Sequence, residues 1–185
     1  MKKLFYLSLF LFCIACKAQI LPFNTRLDNI PNGAYVKDAD NELIPFIGEY
    51  KASYQGRETT LFINKVAQKA SSYGTKNYFR DVLVVKFIVK NNTGTVLQDT
   101  YNTTMSTNEI ESYIFIPQLQ SLGFTYSGNN CDIGNGLIYM KKISPTQISW
   151  TYNPQTTVID DVTCPPNVDK HIYLPDTQDL IFTKQ

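Results

Sequence analysis

The chain has 185 residues and a formal net charge of +1, with 17 basic against 16 acidic side chains and a single His. That balance holds no basic excess to draw nucleic-acid phosphates, and one His leaves a zinc site short of ligands. The length suits one domain with a sizeable core, and 12 Tyr, 11 Phe and frequent Thr, Val and Ile favour strand.

The first element is an address. Met1-Lys2-Lys3 is a positive head, Leu4 to Ala15 is apolar apart from Ser8, and Cys16-Lys17-Ala18-Gln19 ends the run. This is the pattern of an export signal over residues 1–18. Its apolar stretch of about a dozen residues is too short to span a bilayer comfortably. Two cuts are open. Signal peptidase II would leave Cys16 as a lipidated first residue, anchoring the protein to a membrane through its acyl chains. Signal peptidase I would cut after Ala18. The expected location is the periplasm, or the outer membrane as an anchored lipoprotein, with secretion as the alternative. Losing residues 1–18 removes three Lys and no acidic residue, which brings the mature net charge near −2. The longest later apolar run, Val82 to Val89, is broken by Lys86 and is far below spanning length.

Residues 19–43 read as a loop-rich lead-in, punctuated by Pro22, Pro31, Asn32-Gly33 and Asp40-Asn41, with a short strand near Tyr35. The rest, with the lead-in, makes a single domain over residues 19–185. Ile44 to Tyr54 is the first strong strand, with Phe46, Gly48, Tyr50, Ala52 and Tyr54 on one face and Glu49, Lys51 and Ser53 on the other. Gln55-Gly56 turns it into Glu58–Val66, an antiparallel hairpin. Ala67 to Asn77 reads as a polar loop. Tyr78 to Lys90 is the longest strand, with Leu83, Val85, Phe87 and Val89 on one face. Asn91 to Gly94 turns it, and Thr95 to Thr104 runs back.

Asn108 to Ile116 is the best helical candidate, capped by Thr107 and stopped by Pro117, for a turn or two or none. Strands follow at Phe124–Ser127, Gly136–Ile143 and Gln147–Tyr152, the last two joined by Ser144-Pro145-Thr146. Thr156 to Asp160 adds a strand edge, and Leu180 to Thr183 closes the chain. Eight to ten sequential antiparallel strands predict an all-β meander barrel, with a two-sheet sandwich as the alternative. A barrel removes exposed edges using local connections alone.

Either cut removes Cys13, and Cys16 is lost or acylated, so Cys131 and Cys164 remain as the free pair. An exported chain meets an oxidising space, which predicts one disulfide between them. The bridge would close a loop of about thirty residues around the Gly136–Tyr152 hairpin and stabilise by roughly 3 kcal/mol. Two buried thiols are the rival, and no metal site is expected.

Phe46-Ile47-Gly48-Glu49-Tyr50, followed by Thr59 to Lys65, resembles the opening of an uncharacterised secreted Bacteroidota family, the domain-of-unknown-function group 6705. The closing strand Leu180 to Gln185 and the signal ending in Cys-Lys-Ala-Gln resemble that group too. The likeness implies a β-rich exported domain and brings no activity. Gly48-x-Tyr50 also resembles the Gly-x-Trp element that opens lipocalin-like barrels, with Tyr in place of Trp. The plainer account is a Gly where a neighbour approaches closely or a bulge is needed, followed by a core aromatic.

Catalytic patterns are thin. His171 in Asp169-Lys170-His171-Ile172-Tyr173 has no Gly-x-Ser-x-Gly elbow upstream, and an exposed His is the plain alternative to a hydrolase triad. Asp160-Asp161 with Asp169, and the scatter of Asp28, Asp38, Asp40 and Glu42, lack the spacing of a calcium loop. Gly128, Gly134 and Gly136 around Cys131 do not form a dinucleotide fingerprint. Tyr50, Tyr54, Phe87, Tyr139, Trp150 and Tyr152 fall on predicted strands. They either line a barrel cavity for an apolar ligand or fill a solid core. The expectation is a non-enzymatic exported or envelope-attached barrel without a cofactor, binding a small apolar ligand. The alternatives are an interaction module for an envelope protein or glycan, and a hydrolase.

Overall fold

The computed structural model describes residues 18–102, 109–155 and 164–185. The export-signal region and Cys16, the cap Thr107, the Asp160-Asp161 pair and the strand edge at Thr156–Asp160 lie outside them. Among the described residues the structure is all-β, with short 3-10 turns and no α-helix.

The lead-in contributes β1 (Ile20–Pro22) and β2 (Tyr35–Lys37), which run parallel to each other. A 3-10 turn at Ile44–Phe46 takes the place of the expected strand start. Pro45 sits early in that turn, where its missing N–H costs nothing. The first barrel strand, β3, is Gly48–Tyr54, and β4 (Arg57–Tyr73) returns from the Gln55-Gly56 turn with Tyr54 opposite Arg57. β5 (Lys76–Asn91) and β6 (Val96–Asp99) follow, then β7 (Ile110–Ile116) and β8 (Ser121–Tyr126). The hairpin β9 (Gly136–Ser144) and β10 (Gln147–Pro154) precedes the last strand, β11 (Leu180–Lys184).

Around the ring the order is β3, β4, β5, β7, β8, β9, β10, β11 and back to β3, every pairing antiparallel. Eight strands in chain order make an up-and-down barrel, and β11 closes it by setting Lys184 opposite Tyr50. Closure satisfies backbone groups that an open sheet would leave as edges.

Two further sequence expectations change. The run 67–73 is strand rather than loop, because β4 and β5 continue past the barrel as a long paired arm, with Ser71 opposite Tyr78. The arm is largely solvent-exposed on β4, so no apolar alternation marks it. A bulge between Val66 and Lys69 separates arm from barrel. Ile110–Ile116 is strand rather than helix: Ile110 and Ser112 face β8 partners Tyr126 and Phe124. Apolar residues at 110, 114 and 115 fit a helical spacing, but pairing with β8 and β5 decided between the two.

The interior is filled by alternating side chains such as Leu61, Ile63, Leu83, Val85, Met140 and Ile148, all essentially inaccessible. Leu43 of the lead-in and Phe46 of the 3-10 turn that follows it join this core from the end where β3 begins. Leu174, from the connection between β10 and β11, joins it from the other, where the Trp150 Nε1–H donates to the Pro175 carbonyl at 3.0 Å. A smaller core of Ile30, Ala34, Val36 and Tyr78 holds the lead-in on the arm.

Cys131 and Cys164 are bridged, with Cα atoms 5.5 Å apart. Cys131 precedes the β9–β10 hairpin and Cys164 follows it, so the bridge gathers both ends of the hairpin at one place. Among the described residues no helix is long and apolar enough to cross a membrane.

Candidate ligand-binding cleft

Four of the six rings expected to line a cavity or fill a core are brought into the barrel interior. Tyr50, Phe87, Trp150 and Tyr152 are buried, and they pack on other side chains: Phe87 and Tyr152 each meet Tyr126 edge-on, and Trp150 tilts against Phe182 at 5.6 Å. Such contacts are those of a filled core. The Tyr50 ring carries Lys142 and Lys184 within cation–π range, at 5.5 and 5.8 Å. Gly48 makes room for Lys184, since a Cβ there would lie 2.5 Å from its Cε. Tyr54 sits at a hairpin tip and donates to the Asp176 carbonyl. Tyr139 alternates outward from Ile138 and Met140, so neither ring joins the other four.

His171 is exposed, and its described partners are Asp169, 3.1 Å from Nδ1, and the stacked ring of Tyr173. Beside it, a rim cleft of about 220 Å³ is lined by Tyr54, Arg57, Tyr173 and Asp176 among others. Its cation is already engaged, because Arg57 lies over the Tyr173 ring and donates to the Ile172 carbonyl.

A second cleft, of about 330 Å³, is different. Its origin is the far edge of β5, which β2 pairs at Phe79 and Arg80 and β7 pairs at Val84 and Val85. Between those pairings the Leu83 N–H donates to Ser112 Oγ at 2.8 Å in place of a backbone partner, and residues of the 23–30 stretch of the lead-in line the cleft beside Arg80. The walls are mostly apolar: Phe23, Leu27, Ile30, Val36, Ile114 and Phe115. Tyr113 adds a ring whose hydroxyl is pushed up to about 12 by burial and by its hydrogen bond with Tyr139. Gly123 on β8 gives that wall its shape, since a Cβ there would meet Ile114 Cγ2 at 2.8 Å and Tyr113 Cε1 at 2.9 Å.

Arg80 lines this cleft and is only 7 % exposed. Its Nη2 donates to the Tyr113 carbonyl at 2.9 Å, and the guanidinium lies 5.8 Å from the Phe23 ring centre. Its Nε is buried with no hydrogen-bond partner. Burial draws the guanidinium below its usual value, opposed by the charge and the hydrogen bond of Tyr78 and by the charge of Glu111. Yet among the described residues no carboxylate lies within 4.0 Å of it, because Lys69 holds both Glu109 and Glu111 at 2.6 Å. A buried cation without a paired anion is costly. The other buried orphan among the described residues is the neutral amide Nε2 of Gln98, a cheaper omission.

The neighbouring Asp81 shows what a satisfied site looks like. It points to the opposite face of β5, by strand alternation. There it accepts from the Tyr35 hydroxyl at 2.5 Å, from the backbone N–H of Gln68 and Asp38 at 3.2 Å each, and lies 3.5 Å from Lys65 Nζ. Lys65 also meets buried Asp38 at 2.7 Å. The bulge that aims the Gln68 N–H inward thus locks lead-in, β4 and β5 together. One residue along, Arg80 has no such set.

Sequence reasoning missed Arg80, Phe23 and Tyr113. One signal was present: Arg80-Asp81 stands at the head of a run of Val and Leu, where charges need partners. Which of the two lacked one is a tertiary fact.

No curated protein and no solved structure matches the chain. A family model does match, over residues 1–185, and its description is "Family of unknown function (DUF6705)". The match spans the whole chain, barrel and lead-in alike, and the protein is therefore a member of that family of unknown function.

Proposed function

We propose that the protein is a non-enzymatic, exported or envelope-attached barrel that binds a small apolar ligand, and that the ligand sits in the outer cleft beneath the lead-in. The observation that carries this is the cleft itself: a mostly apolar space of about 330 Å³ with a buried cation in its wall, beside an interior filled by its own side chains. Its size is at the lower end for ligand pockets, about 300–1,000 Å³. The disulfide fits an oxidising compartment and so supports export. The lipocalin-like reading rests on the closed meander and its Gly48-x-Tyr50 opening, and the Bacteroidota origin on the signal ending in Cys-Lys-Ala-Gln.

The test of the cleft is titration with the neutral probe N-phenyl-1-naphthylamine, whose fluorescence rises in apolar sites. One saturable site is expected, and Ile114→Trp should abolish it by filling the cleft from a position already 42 % exposed. Undiminished binding by Ile114→Trp overturns the assignment. For the location, Cys16→Ser should move the protein from the membrane fraction to the soluble one or leave it unprocessed. No change in fractionation or mature mass rules out the lipid anchor.

A further inference from the structure

We infer that the cleft selects amphiphiles headed by a single carboxylate, with Arg80 as the head-group residue. This rests on the cleft being the ligand site and names what enters it. Nε of Arg80 is a buried donor with nothing to donate to, and the guanidinium it belongs to lacks a carboxylate within 4.0 Å among the described residues. Arg presents its donors as a planar fork that matches a carboxylate. A carboxylate entering the cleft would take guanidinium hydrogens that the Tyr113 carbonyl and Tyr78 leave free, and a small turn of the side chain would bring the buried Nε to it.

The surroundings narrow the class. At the mouth, Arg26 and Asp28 are exposed and within 3.8 Å of each other, so they offset one another. Glu111 is held by Lys69. Lys69 is shared with Glu109, so Glu111 still acts on Arg80 from a distance, but Arg80 is the one cleft-lining charge among the described residues with no ion-pair partner of its own, which suits a monoanion and leaves a phosphate dianion short of donors. Phe23, Leu27, Ile30 and Ile114 supply the surface for an apolar tail. A volume of about 330 Å³ suits a short single chain better than the end of a folded partner.

A buried cation that awaits its anion also explains an otherwise unfavourable residue. Free protein carries the cost of the unpaired charge, and ligand removes it. Octanoate should therefore raise the thermal midpoint of the wild type and leave that of Arg80→Met unmoved, whereas a merely structural Arg80 would show no such difference.

The experiment is calorimetric titration of the oxidised, processed protein with octanoate, octanol and octylammonium, which share one tail. Octanoate is expected to bind at least tenfold more tightly than octanol, and octylammonium not at all. This comparison needs no variant, so it stands even if Arg80→Met misfolds. In Arg80→Met the octanoate advantage should vanish while octanol affinity holds, and Ile114→Trp should block both. Equal affinities for octanoate and octanol, both blocked by Ile114→Trp, would overturn the head-group assignment and leave the cleft standing. Binding of neither, with no probe site at Ile114, would remove the cleft itself. Octanoate failing where a short peptide with an apolar, free carboxyl end binds would replace the amphiphile by a protein terminus.

Discussion

Removing the Cys131–Cys164 bridge is the sharpest perturbation of the fold. The two residues are 33 apart in sequence. For a loop of that length the chain-entropy relation gives a stabilisation of about 3.7 kcal/mol, acting by restricting the unfolded chain. The native side changes little, because the β9–β10 hairpin inside the loop is held by its own ladder from Pro154 opposite Gly136 to Gln147 opposite Ser144. The double variant Cys131→Ala, Cys164→Ala should therefore keep its register and lose stability. With a urea slope of about 2 kcal/mol per molar, the midpoint should fall by about 2 M. Trp150 is the chain's one Trp and is fully buried, so its fluorescence reports the transition. Circular dichroism in the far ultraviolet should give the same midpoint. Reductant should bring the wild type to the variant's midpoint and leave the variant unmoved. A wild-type midpoint indifferent to reductant, or two free thiols titrated in the oxidised mature protein, would refute the reasoning.

Leu174→Ala removes the side chain that enters the core from the β10–β11 connection, at a cost of about 3 kcal/mol. Trp150 emission should shift red with it, since its N–H bond to Pro175 lies one residue on; an unchanged spectrum and midpoint would show that the connection does not close this end. Asp81 is buried, which alone would raise its carboxyl, but the Tyr35 hydroxyl, the Gln68 and Asp38 N–H groups and Lys65 together hold it below the usual range. A depressed folded value means that its stabilisation is present above the unfolded value of about 3.9 and is lost as pH falls through the folded one. Thermal midpoints measured from neutral pH down into this acid range should therefore fall more steeply for wild type than for Asp81→Asn, and parallel profiles would contradict the network. Gly123→Ala presses a methyl on Tyr113 and Ile114, with a stability loss of about 1–2 kcal/mol and a severalfold weaker probe site; full-strength probe binding would show that this wall does not shape the cleft.

The legible parts of the fold were those where local pattern and tertiary role agree. Leu83, Val85, Phe87 and Val89 alternate because one face of β5 is core, and the Gln55-Gly56 and Ser144–Thr146 turns join neighbours in the ring. The cysteine pair was legible by elimination. The arm at 67–73 was not, because a strand exposed on its faces carries no apolar alternation. Residues 110–116 were ambiguous because a short apolar run satisfies both periods, and only β8 and β5 decide between them. Tyr50, Tyr54, Phe87, Tyr139, Trp150 and Tyr152 read alike in the sequence as strand aromatics that line a cavity or fill a core; that Tyr50, Phe87, Trp150 and Tyr152 are buried against neighbouring side chains depends on how the ring of strands closes.

By itself the chain determined its strand-rich class, the meander order and the residues of its one described disulfide, because alternation, turns and cysteine count are local or compositional properties. Tertiary structure alone decided that β11 meets β3, that Asp81 is satisfied while Arg80 is not, and that the cleft lies outside the barrel. Each of those depends on which distant segments come to share one strand edge. The edge of β5 is divided among β2, β7 and β6, and the cleft beside Arg80 is a property of that division, not of any segment within it.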